Sequence, residues 1–462
     1  MSRAQLLAEE AKDTPGRVVF LGLVLYLIFD RIIPDLYILP VGFSLKVSHV
    51  VAGLVILLLL WSMAVEMRPL PRGVAGLLGL LTLVVTLSGP FINASTLSLY
   101  EGDAADLGLV TVMLFTGLFA AAYYLGQRGT RPMKLIWVVI ILTAIQTAVA
   151  GWEKWSGWLL TRDTTFLTLG FLVPDPALAR GFVFGSSRIG GGFRPVSTAP
   201  HPIVLSALSA VAILLLIGLY PYVSRGRRRW LFALLAPLMV GLVALETRTG
   251  IVITTIAAVA ALAITAARKT DKVLSLIVSG GLLLAAAIAA FPSSARNALN
   301  QFARVGSDPS LAARTEDADF IYEFMARRPL LGPGFMTHDP SLRIFDNSYY
   351  EALIEFGVIG FGIFLAFLVV VTFKPVLTLG RASDHDAPIL VAGFTAGLSL
   401  LTAMALFDAT KFAQFFPTIL IVLGIGLGRT DVILRTRAPH RTTMAVVKDP
   451  GEASSPRPRS TP

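Results

Sequence analysis

A dozen apolar blocks, each roughly 17 to 22 residues long, recur along the chain, and that length is what a helix needs to cross about 30 Å of hydrocarbon. They fall near 18–36, 47–66, 73–90, 107–126, 133–151, 201–220, 230–245, 250–267, 273–291, 350–372, 388–407 and 412–428. Between them the composition is 55% hydrophobic and 15% charged, which is too apolar for a water-soluble core to absorb. The expectation is an all-α, polytopic membrane helix bundle of about 12 transmembrane helices, with the lipid bilayer as its solvent.

The net charge of +10 would suit nucleic acid if the chain were soluble. In a membrane protein, basic loops on the cytoplasmic side account for it. With the N-terminus inside, the short segments Met67–Arg72, Gln127–Lys134, Pro221–Arg229, Arg268–Lys272 and Phe373–Asp386 face the cytoplasm together with both termini. They hold well over half of the 39 Lys and Arg, whereas Gly89–Asp106 on the other side has none. The chain thus divides into a cytoplasmic N-terminus (1–17), a transmembrane domain (18–428) and a largely disordered, Pro- and Ser-containing cytoplasmic tail (429–462). No nucleic-acid partner is expected.

Two outer segments, 151–200 and 292–347, are too long to be mere connections. The first is rich in Trp, Phe and Gly and carries Arg180, Arg188 and Arg194. The second contains SLAARTEDADFIYEFMARR, an amphipathic surface helix by its spacing, with Phe320, Ile321, Phe324 and Met325 on one face and Arg314 near its start. The chain has no cysteine, so thiol chemistry and thiolate metal sites are excluded. His and acidic residues show no metal-ligand spacing either, and neither a metal nor a cofactor is expected.

Arg248, in ETRTG, lies in a very short outer turn where the charge rule disfavours a cation. It is either a snorkelling anchor or, with Arg194 in GGGFRP, half of a cationic pair suited to an anion such as a lipid-linked diphosphate. Glu246 beside it can balance its charge. Asp346 and Asn347 precede a helix in FDNSYYEALIEFG, which is an N-cap pattern. Asp346 at a membrane boundary can equally be a desolvated general base. His338, in THDP, is either a second base candidate or part of an exposed turn.

In order, spacing and side, three stretches resemble the O-antigen ligase and polymerase superfamily of bacterial envelope glycosyltransferases: GGFRPVSTAPHPIVL, LVALETRTGIVI, and RRPLLGPGF followed by DNSYYEALIEFGVIGFGIF. The resemblance implies a metal-independent, inverting transferase in the bacterial inner membrane, active on the periplasmic face. Its implied partners are a glycan on polyprenyl (undecaprenyl) diphosphate and a glycan or glycolipid acceptor. It assigns diphosphate binding to Arg194 and Arg248, with Arg180, Arg188 and Arg314 as further candidates. Asp346 falls where many such ligases have a His base, so the polymerase branch fits as well as the ligase branch. Asn347, Tyr349, Tyr350 and His338 are expected to orient the sugar. A transporter of an anionic solute is the alternative from another class.

The cysteine-free chain suits a direct topology test. Single cysteines placed at Ser2 and Ser454 are expected to react with a membrane-impermeant maleimide only after cells are opened, and one at Ser95 in intact spheroplasts; the reverse pattern overturns the orientation.

Overall fold

The computed structural model of the chain describes residues 13–33, 37–40, 44–66, 73–129, 131–158, 173–174, 194–303, 317, 320–339 and 342–436. Its helices are α1 Thr14–Ile32, α2 Val47–Glu66, α3 Gly73–Ile92, α4 Leu99–Gly126, α5 Arg131–Ser156, α6 Pro202–Leu219, α7 Arg225–Ala244, α8 Arg248–Ala290, α9 Pro292–Ala303, α10 Ser348–Thr378, α11 Ala387–Met404 and α12 Phe416–Thr436. The only strands among the described residues are short: β1 (Tyr37–Pro40) pairs antiparallel with both β2 (Ser44–Lys46) and β3 (Val173–Pro174). They join the α1–α2 connection to the first long segment, a feature that the apolar pattern does not foreshadow.

Nine helices among the described residues are long and apolar enough to cross a membrane. Three further expected spans also have helical counterparts. α1 carries Asp30 and Arg31 yet packs against α2 and α5, α7 begins with four arginines in RGRRR, and the block expected near 273–291 falls almost wholly within α8. As one straight rod, the 43 residues of α8 would carry Ala290 roughly 63 Å from Arg248. Instead Asn297 donates to Glu246 at 3.3 Å, so α8 doubles back on itself as two arms.

α6, α11 and α12 form the centre of the bundle, and α3 lies at its edge. α12 approaches α4 closely because Gly424 and Gly428, four apart, leave room for the backbone of Phe119 and Tyr123; a Cβ on Gly428 would lie 2.2 Å from the Tyr123 carbonyl oxygen. Small residues at that spacing let helices pack backbone to backbone where no water is available to drive association. α12 also continues past the boundary expected at 428: Arg429 and Asp431 are buried, and Asp431 accepts from Tyr123 and Lys374, each at 2.7 Å. At the same end Arg128 pairs with Asp13 and Glu66, and Arg131 with Asp13, tying α1, α2, α4 and α5 together.

α10 is not the uninterrupted span that its hydropathy suggests. Gly357 has φ 69°, which breaks the helix, and the freed groups are taken up by the PLLGPG loop. Val358 N–H donates to the Pro329 carbonyl (2.9 Å), Ile359 N–H to that of Leu330 (3.1 Å), and Gly334 N–H to that of Glu355 (2.9 Å). Non-helical backbone at this depth survives only when the protein itself supplies such partners. A Cβ at Gly357 would also stand 2.5 Å from Leu330 backbone, so glycine is required here for two reasons. Gly357→Ala is expected to cost ~1–3 kcal/mol, read as a lower thermal midpoint in detergent. Gly53→Ala, where nothing lies within 4 Å, is the control and should leave the midpoint unchanged.

Candidate active site

The described parts of the segments expected on the outer side that carry Arg194, Arg248, His338 and Asp346 are held together by contacts between turns. Arg194 is 5% exposed, and its Nε donates to the Leu245 carbonyl at 3.4 Å, on the turn that leads into Arg248. Arg248 is the first residue of α8, where the helix dipole opposes a cation and favours an anion. Arg194 is therefore brought to the turn that precedes Arg248. Arg180, Arg188 and Arg314 lie outside the described residues.

Both arginine turns are held by side chains of α5. Glu153, fully buried, accepts from the backbone N–H of Val196 (3.2 Å) and Ser197 (2.8 Å). Lys154 binds Glu246 at 2.8 Å. Burial pushes the Glu246 carboxyl up, but hydrogen bonds from Lys154 and Ser294 prevail and hold it below the usual carboxylate range. Glu246 thus has Lys154, Ser294 and Asn297 around it, beyond the simple balancing of Arg248. Behind the loop, Thr198 is fixed by Gln146 (2.7 Å) and Gln414 (3.1 Å), and Arg31 reaches Gln146 and Thr418. His201 caps α6 by accepting from Ile203 N–H; burial, with Arg194 adding to it, lowers its imidazole to about 4.

The non-glycine residues with left-handed backbone among the described residues are Ser197, Glu246 and Met336, and all three lie in turns at this end. Such strain persists only where surrounding structure over-determines it, and it concentrates at functional sites.

Around the start of α10 the arrangement differs from the expectation. Asn347 is the N-cap, its Oδ1 accepting from Tyr349 N–H at 2.9 Å, and the Tyr349 hydroxyl donates to the Leu401 carbonyl at 2.7 Å. These two polar groups are thereby engaged in holding the helix, and Tyr350 packs beside Ile321 and Phe345. Asp346, with the cap provided by its neighbour, is exposed rather than desolvated. His338 is not in an exposed turn: it is 3% exposed, in contact with the rings of Phe324 and Phe345, with Nε2 2.6 Å from the Arg343 carbonyl. Burial lowers its imidazole below the ordinary histidine range. Phe320, Ile321 and Phe324 of the expected surface helix cover Phe345 and Ile354, so the described part of that stretch packs on the protein.

The residues that sequence reasoning missed stand on the α11–α12 connection. Lys411 lies 2.9 Å from Glu351 and 3.3 Å from Glu355, and Glu355 also accepts from His338 N–H. Ser348 ties the same connection down, donating to the Phe407 carbonyl and accepting from Thr410 N–H. This brings Asp408 to the neighbourhood of Asp346. Burial pushes the Asp408 carboxyl up to about 6, opposed by Lys411 and assisted by the charge of Asp346. The one available signal was FDATKF, a short charged stretch between two apolar blocks.

Residues 231–365 match the family model described as O-antigen ligase. The matched stretch is O-antigen ligase-like. It holds the Arg248 turn, the PLLGPG loop and the Asp346 helix start, while Arg194, Asp408 and Lys411 reach the same end from outside it. No curated protein matches the chain. By its helices the chain is an integral membrane protein, and its likeness to the O-antigen ligase family is confined to residues 231–365.

Lys411 is placed between two buried carboxylates of α10, and removing one partner of such a group strands the others. Lys411→Met is expected to destabilise the detergent-solubilised protein by ~3–5 kcal/mol. Adding Glu351→Gln to that variant should recover part of the loss; no recovery in the thermal midpoint would mean that the pairing is not what holds this connection.

Proposed function

We propose that the chain transfers a glycan from a polyprenyl (undecaprenyl) diphosphate to a sugar hydroxyl at the outer face of the bacterial cytoplasmic membrane, as an O-antigen ligase or polysaccharide polymerase. The observation that carries this reading is the meeting of Arg194 with the Arg248 turn inside a ligase-like stretch. Two guanidiniums offer paired donors matched to diphosphate oxygens, and α8 adds its N-terminal dipole. Their role is to stabilise the charge that develops on the departing diphosphate, which makes it a leaving group without a metal. The acceptor hydroxyl oxygen attacks the anomeric carbon from the opposite face. The bond from that carbon to the diphosphate oxygen breaks, the configuration inverts, and the hydroxyl proton passes to a carboxylate.

Asp346 is the base in this scheme, exposed where an acceptor can approach. Asp408 is a second carboxylate at the same place, and its raised affinity for a proton suits it to accept one near neutral pH. With Asn347 and Tyr349 committed to the helix start, Tyr350 remains to orient the sugar. His338, buried among aromatic rings, supports that loop. The arginines face the periplasm or cell exterior, with both termini in the cytoplasm.

In proteoliposomes with an undecaprenyl-diphosphate glycan and a chelator present, wild-type protein is expected to consume donor. Arg248→Ala and Arg194→Ala should each lose about 10²–10³-fold in rate with unchanged membrane insertion; normal turnover by either sinks the proposal. Asp346→Asn should lose about 10²–10⁴-fold. If Asp346→Asn stays active, a rate that climbs as pH rises through about 6, and that Asp408→Asn abolishes, identifies Asp408 as the base.

A further inference from the structure

α7 opens on RGRRRW at the end of the bundle opposite the Arg248 turn, since it runs from there to Leu245. Other cations at that end are matched by carboxylates from neighbouring elements: Arg128 and Arg131 by Asp13, Lys374 by Asp431 and Arg429 by Asp386. Among the described residues no carboxylate pairs with Arg227, Arg228 or Arg229. Arg227 and Arg229 are exposed, and Arg228 is half-buried.

The helix adds to this field instead of cancelling it. The first turn of α7 has no acidic residue, Ser224 makes no side-chain cap, and the N-terminal end of a helix dipole is itself positive. Gly226 leaves the turn open, for it is exposed and a Cβ there would meet nothing within 4 Å. Aromatic rings then fix what would otherwise be a run of solvated side chains. Arg228 lies 5.0 Å from the centroid of Tyr220, whose buried ring is met edge-on by Phe232, and Arg229 lies 5.8 Å from that of Trp230. A guanidinium stacked on a ring keeps its in-plane N–H groups for oxygen ligands, in a fork that matches phosphate. The buried Arg228 Nε has no acceptor among the described residues.

Trp230 decides which anion fits. It is 63% exposed, follows the last arginine directly and precedes the apolar LFALL, so ring and guanidinium straddle the level where headgroups meet hydrocarbon. By helical spacing Arg227, Arg229, Trp230 and Ala233 fall within one half of the circumference, and Arg228, with its ring contact, on the other. Ala233 is exposed and small, which leaves a shallow lane beside the indole for a chain running into the bilayer. A soluble anion has no use for ring or lane. The charge rule by itself sets only the side on which a basic connection stays, and it asks for neither stacking nor a missing carboxylate. We propose that the start of α7 binds one anionic diacyl phospholipid, with its phosphate on Arg227, Arg229 and the open first turn and its acyl region against Trp230 and Ala233. The site stands apart from the glycan-transfer reading, being at the other end of the bundle.

Native mass spectrometry of the full chain released from liposomes counts retained lipid without needing turnover. From equimolar phosphatidylglycerol and phosphatidylcholine, wild-type protein is expected to retain phosphatidylglycerol in preference by about fivefold or more, the scale of one arginine's attraction to an anionic headgroup. Arg227→Gln combined with Arg229→Gln, both at exposed positions where the fold is not at stake, should bring the ratio close to one. Arg17→Gln, which removes another exposed cation at the same end, should leave it unchanged. A wild-type protein without preference, a double variant that keeps it, or an equal loss in Arg17→Gln overturns the proposal. An excess of inorganic phosphate separates the two sources of the same chemistry: a wild-type ratio that withstands it supports a lipid site, whereas a ratio reduced to that of the double variant identifies a site for free phosphate and overturns the lipid.

Discussion

Side chains that hold non-helical backbone are what the site depends on. In a hydrocarbon environment every unpaired N–H or carbonyl is costly, so a membrane bundle can expose irregular turns to chemistry only where other protein groups satisfy them. Glu153 does this for the Arg194 loop, Asn93 for the PLLGPG loop through the carbonyls of Leu331 and Gly332, and Ser348 for the Asp408 connection. Each tether comes from a helix end or from the connection just beyond it, and each reaches a different turn. Together they collect segments distant in sequence at one end of the bundle, while the Arg128 and Asp431 ion pairs close the other.

The two halves of that end have different electrostatic character. Arg194 and Arg248 meet beside Glu246, whose charge is shared with Lys154 and Asn297. Across from them lie the carboxylates of Asp346, Asp408, Glu351 and Glu355, with Lys411 among them. An anion with several oxygens is drawn to the first half and a proton to the second. That separation suits the proposed transfer from a diphosphate to a hydroxyl, since leaving-group charge and proton acceptance are stabilised by opposite fields.

The strained residues fit this division. Ser197 and Glu246 sit in the arginine turns and Met336 in the loop against α10. Each position is fixed by partners from neighbouring elements rather than by its own propensity, so the strain is maintained by tertiary packing and not by local sequence.

Hydropathy and charge determined the bundle, its approximate spans and the gathering of alternate connections at one end, because apolar length and basic loops are local properties that the bilayer reads directly. The arginine turn was legible too, as a cation where none was expected. Sequence could not reveal that α10 breaks at Gly357, that Asn347 takes the cap and leaves Asp346 exposed, or that His338 is buried. Nor could it bring Asp408 and Lys411 to the site, since their partners are on a helix more than 50 residues away. Those outcomes depend on which chain segments satisfy one another's polar groups, and only the tertiary structure decides that.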